Sequence, residues 1–221
     1  SRAVLMDKYR LARGRSKANF SFYFGGANDN LDEIRALQPG DCCGVKVFMG
    51  ASTGNMLVDD PRTLELIFAE CPTLIATHCE DTPTIKANEE RFRQQYGEDV
   101  PFSAHPLIRS EEACYKSTVL ATTLARSHGT RLHVLHISTA KELELFEPGP
   151  LNGKRITAEV CAHMLHFDDR AYATKGALIK CNPAIKTAAD RLALLEGLRD
   201  GRLAVIATDH APHTLAEKGE K

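Results

Sequence analysis

Long apolar runs are missing from this sequence, and none of its stretches approaches the roughly 18 residues that a membrane-spanning helix requires. The first residues, SRAVLMDKYRLARGRSK, also lack the apolar segment of a signal peptide. They begin with serine in place of methionine, so we expect the natural start to lie upstream. The missing apolar runs therefore predict no membrane insertion.

An excess of charge of one sign is missing as well. The 28 lysines and arginines nearly balance the 29 aspartates and glutamates, which leaves a formal charge of -1. Binding to nucleic acid or to an anionic membrane would call for a basic patch, so we predict neither partner. With 221 residues, 43% of them hydrophobic, the chain can bury one sizeable core, and we treat residues 1–221 as a single domain.

Paired cysteine motifs are also absent. The number of cysteines, seven, is odd, and no two of them form a C-x-x-C pair. Most lie in or beside apolar stretches, as small buried hydrophobic residues do. We expect them to be reduced and structural, which favours a cytoplasmic location. They are Cys42, Cys43, Cys71, Cys79, Cys114, Cys161 and Cys181.

What the sequence does contain is an alternation of short apolar runs with longer helical patterns. The apolar runs predict strands within 19–25, 44–50, 73–79, 131–138, 155–163 and 202–210, with a weaker candidate at 177–182. The helical patterns fall at 30–37, 60–70, 110–129 and 187–201. This order predicts parallel βαβ units, and the continuous apolar strands indicate burial on both faces of the sheet.

Two architectures fit this order, a doubly wound sheet and a (β/α)₈ barrel. No glycine-rich phosphate loop follows any predicted strand, which argues against a doubly wound sheet that binds a nucleotide. Lys46, His78, His136 and Asp209 lie within or at the carboxyl ends of four different strands, where barrel enzymes build their active sites. Because only about six main strands are present, we predict part of a TIM-type barrel.

Each of these four residues also has a purely structural interpretation. A core histidine can bond to a neighbour, an aspartate can cap a turn, and a lysine can extend its ammonium to solvent. His133, three residues before His136, is interpreted as an ordinary flanking residue. Four strands that place a costly polar group at the same end of one sheet nevertheless favour a shared metal site.

Imidazole and carboxylate groups are ligands for zinc and similar divalent ions, whereas an ammonium repels a cation. A neutral Lys46 could instead react with carbon dioxide to form a carbamate, which is a carboxylate on a long stem. Such a group could bridge two metals about 3.5–4 Å apart, the usual spacing of two-metal sites. This chemistry would explain why a lysine stands in the buried strand GVKVFMG.

Several motifs, in order along nearly the whole chain, resemble those of dihydroorotase in the amidohydrolase superfamily. They are SFYFGGANDN, GVKVFMGASTGNMLVDD with Lys46, ATHCED with His78, HPLIRSEEAC, LHVLHIST with His136, EVCAH, CNP and TDHAPHT. The most specific of them is DHAPHT, because related dihydropyrimidinases and allantoinases usually have another residue where His213 stands.

The resemblance implies a zinc-dependent barrel with two divalent ions that interconverts dihydroorotate and N-carbamoyl-aspartate in pyrimidine synthesis. Lys46 would be the carboxylated, bridging residue, and His78 and His136 would bind the second metal. Asp209 would bind the first metal and carry the proton in catalysis. Asn182 and His213 would contact the small-molecule substrate. The resemblance is compatible with a homodimer.

The sequence also departs from the family. The family opens with a His-x-His pair and an arginine on its first strand and an asparagine on its second, yet none of the nine histidines here forms His-x-His. We therefore expect an incomplete barrel, roughly strands three to eight, that lacks the first two strands and the C-terminal region. We expect this chain alone to be inactive. Lys186 stands where many relatives have arginine and receives no role, and His163 is interpreted as support for its loop.

Two other functions remain open. The first is a different cyclic amidohydrolase, acting on dihydropyrimidines, hydantoins or allantoin, against which His213 argues. The second is a non-catalytic homologue that serves as a scaffold or partner subunit. A scaffold has no reason to keep Lys46, His78, His136 and Asp209 together, so an enzyme is the favoured prediction.

Overall fold

Six parallel strands form one sheet in the computed structural model, which describes residues 1–50 and 56–219. Each strand pairs with the next one along the chain, from β1 to β6. A doubly wound sheet reverses its order at a switch point, whereas a barrel adds each strand beside the last. The observed order is that of a barrel segment, as predicted. The strands are β1 Tyr23–Gly25, β2 Gly44–Phe48, β3 Ile75–His78, β4 Leu132–Val134, β5 Ile156–Cys161 and β6 Val205–Ala207.

Helices connect the strands, and short 3₁₀ turns lie between some of them. Among residues 1–50 and 56–219, no helix combines the length and the apolar character needed to cross a membrane. The α-helices are α1 Arg2–Ala12, α2 Leu31–Arg35, α3 Pro61–Glu70, α4 Thr82–Tyr96, α5 His105–Ile108, α6 Glu111–His128, α7 Ala162–His166, α8 Tyr172–Lys175, α9 Ala188–Arg199 and α10 Leu215–Gly219.

The helix ends follow from local sequence. The Asp60 carboxylate accepts a hydrogen bond from the Thr63 backbone N–H at 2.6 Å, and Pro61 fills the first helical position of α3. Ser110 caps α6 in the same way, and Gly129 ends that helix with a left-handed φ of 65°. These predicted boundaries are confirmed.

Two features differ from the sequence prediction. The prediction of a weak strand at 177–182 is wrong, because Gly176–Ile179 forms a 3₁₀ turn. In this turn Leu178 is exposed, whereas Ile179 packs in a small hydrophobic cluster. The helices α1 and α4 and the short helices α5, α7, α8 and α10 were not predicted. Only Leu5 of α1 and only Ile85 and Phe92 of α4 are buried, so neither helix has a strong apolar stripe.

The two faces of β2 have different surroundings. Val45 and Val47 are fully buried in the hydrophobic core that also contains Ile67 and Phe68 of α3. The side chains of a strand alternate, so Lys46 lies on the opposite face, and both Lys46 and Phe48 are only partly buried there. The helices thus cover one face of the sheet, and the other face carries the polar candidates.

Candidate functional site

The four predicted metal ligands lie on four strands of the sheet. His78 is the last residue of β3, His136 lies two residues after β4, and Asp209 lies two residues after β6. Lys46 lies within β2, two positions before Phe48, which is paired with His78. The sequence order β2, β3, β4 and β6 is also the order across the sheet.

His78 and His136 contact each other directly. Their Nδ1 and Nε2 atoms, respectively, are 3.1 Å apart, and the rings meet edge to face with centroids 4.7 Å apart. Both side chains are buried. Burial lowers the pKa of His136 well below its ordinary value, and the neighbouring His78 and Lys46 act in the same direction. His136 is therefore neutral, which is the form that binds metals.

This pair fits a metal ion. Two imidazole nitrogens bound to one tetrahedral zinc, each about 2.0–2.1 Å from it, would be about 3.3 Å apart. The observed separation of 3.1 Å is close to that value. A divalent ion could therefore replace the hydrogen that the two nitrogens share, with little movement of either ring.

Lys46 is held in an environment that disfavours its charge. Its Nζ lies 4.6 Å from the centroid of the Phe48 ring, and that ring lies 5.7 Å from the His78 ring. Burial lowers the pKa of Lys46 to about 8, although the charges of Asp209, Cys79 and Glu159 oppose the shift. An amine with a pKa near 8 is partly neutral at physiological pH, and only the neutral form can react with carbon dioxide.

Two of the candidates have an unusual backbone. His136 has a φ of 43° and Asp209 a φ of 45°, and they are the only non-glycine residues with positive φ in the part of the chain that the structure describes. This region costs free energy for residues with a Cβ and is concentrated at functional sites. Both residues follow the carboxyl end of a strand, so each lies at that edge of the sheet.

Asp209 is not brought into the histidine pair. It is exposed and lines a cavity of about 270 Å³ together with His163 and His210. Across residues 1–50 and 56–219, no three histidine, cysteine, aspartate or glutamate side chains converge as metal ligands. The electrostatic influence of Asp209 does reach Lys46 and His163.

The two predicted substrate contacts share a larger cavity. Asn182 and His213 both line a space of about 760 Å³, which is also lined by His105, Arg109 and Lys180. His105 donates from Nε2 to the Cys181 carbonyl at 2.9 Å, next to Asn182 in the chain. The structure therefore brings Asn182 and His213 to one cavity, and Lys180 and Lys218 line both this cavity and the Asp209 cavity.

Sequence reasoning missed several buried polar residues near the histidines. Glu80 is fully buried and contacts both His78 and Arg109. His133 is not a flanking residue, because it is buried and bonds to Glu159 at 3.0 Å. The spacing H-x-E in HCED was the available signal for Glu80. His133 and Glu159 lie on different strands, and only the sheet register shows that they meet.

Known proteins resemble this chain over different lengths. No family model matches it. A dihydroorotase of Latilactobacillus sakei is 46% identical over 97 residues, which cover 44% of this chain and 23% of that protein. An allantoinase of Bacillus velezensis is 29% identical over 212 residues, which cover 94% of this chain and 46% of that protein.

The solved structures agree on the fold. An L-hydantoinase (dihydropyrimidinase) from Arthrobacter aurescens superposes with a TM-score of 0.89 at 26% identity, and the match covers 99% of this chain and 49% of that one. The structural neighbours are TIM-barrel amidohydrolases. The chain spans about half the length of the allantoinase and the hydantoinase.

Proposed function

The chain belongs to the cyclic amidohydrolase superfamily, and on that basis we propose that it carries a metal-binding part of an enzyme that hydrolyses a cyclic amide. The proposed reaction is the reversible conversion of dihydroorotate to N-carbamoyl-aspartate, a step of pyrimidine biosynthesis. The observation that carries the proposal is the contact between His78 Nδ1 and His136 Nε2, whose 3.1 Å separation suits a shared divalent ion.

In this proposal His78 and His136 hold one metal, and a carboxylated Lys46 and Asp209 contribute to a second. Zinc is the ion that suits imidazole and carboxylate ligands at this site. When bound, such ions supply a Lewis acid for the amide carbonyl and lower the pKa of water. The lowered pKa of Lys46, about 8, supports carboxylation because it provides the neutral amine.

Asp209 is the proposed catalytic acid–base. Asp209 is exposed at the carboxyl edge of the sheet, where its backbone has a left-handed φ of 45°. An ionised carboxylate can take a proton from the attacking water and return it to the leaving amide nitrogen.

The cavity shared by Asn182 and His213 is the proposed substrate site. An amide and an imidazole can both donate hydrogen bonds to a carboxylate, and Arg109 and Lys180 add positive charge to the same lining. Acidic residues line other parts of this cavity, so the proposal rests on the pair and not on net charge. A carboxylate-bearing ring such as dihydroorotate fits these donors better than an uncharged ring.

A second candidate function rests on the comparisons. The dihydroorotase similarity covers 44% of this chain, whereas the allantoinase similarity covers 94% of it. Hydrolysis of allantoin or of a hydantoin is therefore the alternative. The presence of His213 in DHAPHT favours dihydroorotate. The carboxylate of dihydroorotate needs a hydrogen-bond donor at this position, whereas the uncharged rings of allantoin and hydantoin do not.

We also propose that the chain supplies only part of a barrel. Its sheet has β1 and β6 as outer strands, and Val205 and Ile206 of β6 are exposed. An exposed apolar edge strand invites pairing with another segment or chain. Further strands, or a second copy in a homodimer, would cover it. A cytoplasmic location belongs to this proposal and rests on the seven free cysteines.

Zinc titration of the purified chain tests the metal site. We expect His78→Ala and His136→Ala to weaken zinc binding by at least about tenfold each, because either change removes one of two facing ligands. His166→Ala is the matched control, since His166 is exposed and its ring packs edge to face against the Phe167 ring. Equal zinc affinity in all four proteins would refute the proposed function.

A further inference from the structure

Glu80 lies behind the histidine pair, on the side of His78 that faces away from His136. Its Oε2 accepts a hydrogen bond from His78 Nε2 at 2.8 Å, whereas His78 Nδ1 faces His136. The Glu80 side chain is fully buried, two residues after His78 and just beyond β3. One ring nitrogen of His78 therefore contacts a carboxylate, and the other is directed at the proposed metal position.

Arg109 holds this carboxylate in place. Its Nη1 donates to the same Oε2 atom at 2.5 Å, and its side chain is only 14% exposed. Arg109 is the residue that ends α5, and it also lines the cavity that contains Asn182 and His213. The Glu80 Oε1 atom is buried and has no hydrogen-bond partner among the residues that the structure describes. The two donors to Oε2 thus help to compensate for burying this group.

The contact determines which nitrogen of His78 bears the hydrogen. Arg109 Nη1 and His78 Nε2 both meet Glu80 at Oε2, and a guanidinium in contact with a carboxylate favours the ionised form of that carboxylate. An ionised carboxylate can only accept hydrogen bonds, so the hydrogen of a neutral His78 must be on Nε2. Its Nδ1 then presents a lone pair towards His136.

We propose that Glu80 is a positioning residue that fixes His78 in the metal-binding tautomer, and that Arg109 anchors Glu80. The inference rests on the proposed function, since it assumes that His78 is a metal ligand. A carboxylate behind a metal-binding histidine fixes the ring and makes its free nitrogen a stronger donor. Loss of such a partner weakens metal binding by about 10–100-fold in known sites.

Metal titration of the 221-residue chain and its variants, with cobalt(II) and zinc as probes, tests this role. We expect Glu80→Gln to weaken metal binding by about 10–100-fold, because an amide can turn its NH₂ towards Nε2 and favour the other tautomer. We expect a smaller loss of metal affinity in Arg109→Lys, because lysine keeps the positive charge but lacks the planar guanidinium donor. The visible spectrum of bound cobalt should change in Glu80→Gln, which a purely structural role would not cause.

Glu142→Gln is the matched control. Glu142 is also buried, but it accepts from the hydroxyls of Thr118 and Thr139, and none of its hydrogen bonds in the described part of the chain involves a histidine. We expect this variant to lose stability in urea unfolding while it keeps the wild-type metal affinity and cobalt spectrum. A loss of metal affinity in Glu142→Gln that equals the loss in Glu80→Gln would overturn the inference, because a general effect of buried charge would then suffice.

The ¹⁵N signals of histidine in the wild-type chain provide a readout that needs no variant. We expect His78 to give the pattern of the Nε2–H tautomer in the metal-free chain, and an Nδ1–H pattern would overturn the inference even if Glu80→Gln failed to fold. If His78→Ala loses metal while Glu80→Gln retains wild-type affinity, the inference fails and the proposed function stands. If the wild-type chain binds no metal through His78, both fail together.

Discussion

A Cβ atom at Gly50 would lie 1.7 Å from the backbone carbonyl oxygen of Glu80. The chain just after β2 therefore passes against the chain just after β3, where His78 and Glu80 lie. The backbone N–H of Met49 also donates to the His78 carbonyl at 3.0 Å, so the two strand ends are fixed to each other. Only glycine permits this approach.

Gly50→Ala should therefore disturb the histidine pair. We expect a loss of at least about 1–3 kcal/mol in the free energy of unfolding, because the added methyl must push backbone away. Zinc affinity should fall in the same variant. Gly219→Ala is the control, because nothing lies within 4 Å of a Cβ at Gly219. Urea unfolding and zinc titration measure both effects, and a Gly50→Ala chain as stable as the control would contradict this view of the contact.

Lys46 should act through a carbamate and not through its positive charge. In a chain that turns over substrate, we expect Lys46→Arg to abolish activity, because a guanidinium stays protonated and cannot become an anionic ligand. We expect Lys46→Ala to be partly rescued by a small carboxylic acid that fills the space left by the side chain.

The carbamate itself can be observed in the 221-residue chain. With ¹³C-labelled bicarbonate near pH 8, where the Lys46 amine is about half neutral given its pKa of about 8, a carbamate carbon signal should appear. The signal should be missing from Lys46→Arg. Full activity of Lys46→Arg, or an identical signal in both proteins, would refute the bridging role.

His105 should make the chain sensitive to acid. Burial lowers its pKa to about 4, against the opposing hydrogen bond to Cys181 and with help from the nearby cations. The unfolded chain takes up this proton below about pH 6.5, the ordinary histidine pKa, whereas the folded chain does so only below about pH 4. The stability from this residue is therefore complete above pH 6.5 and is lost as the pH falls towards 4.

Urea unfolding between pH 7 and pH 4 measures this loss, and we expect His105 to account for about 2–3 kcal/mol of it. His105→Gln keeps a donor for the Cys181 carbonyl and cannot titrate, so its stability should fall less steeply with acid. Burial also lowers the pKa of His136, so part of the acid sensitivity should remain in His105→Gln. A slope in His105→Gln that equals the wild-type slope would contradict the assignment.

Turnover of dihydroorotate should be absent from the isolated 221-residue chain. Of the four predicted metal ligands, His78 and His136 contact each other. Asp209 does not join them in a ligand cluster among the described residues. A catalytic zinc usually has three protein ligands and an open position, so the metal that Asp209 would serve should be weakly held. A spectrophotometric assay with added zinc measures this directly, and a rate equal to that of a longer natural chain would show that the site is complete here.

The strands and their order could be predicted because each is a short apolar run closed by polar residues. GVKVFMG and TLIATHC both contain strands that lie where their composition indicates. Helix α4 could not be predicted from its apolar residues, because Ile85 and Phe92 are its only buried side chains. The segment 177–182 has strand-like composition, but it packs as a turn against a cluster that contains Tyr172.

The candidate site could be predicted in part. His78 and His136 were candidates because each ends an apolar run, and the structure places their rings in contact. Glu80 and Arg109 could not be paired from the sequence, because 29 positions separate them and helix folding brings them together. The neutral tendency of Lys46 results from burial, which the sequence does not display, and it persists although the charge of Asp209 opposes it.

The most direct test of the central claim compares the hydrolysis of dihydroorotate, allantoin and hydantoin by a longer natural chain that contains these 221 residues. The rates should be measured with zinc, after chelation, and in the variants His78→Ala and His213→Ala. We predict that dihydroorotate gives the highest kcat/KM, that chelation and His78→Ala abolish it, and that His213→Ala raises KM for dihydroorotate. Faster hydrolysis of allantoin or hydantoin would contradict the substrate assignment, and turnover unchanged by chelation and by His78→Ala would contradict the metal site.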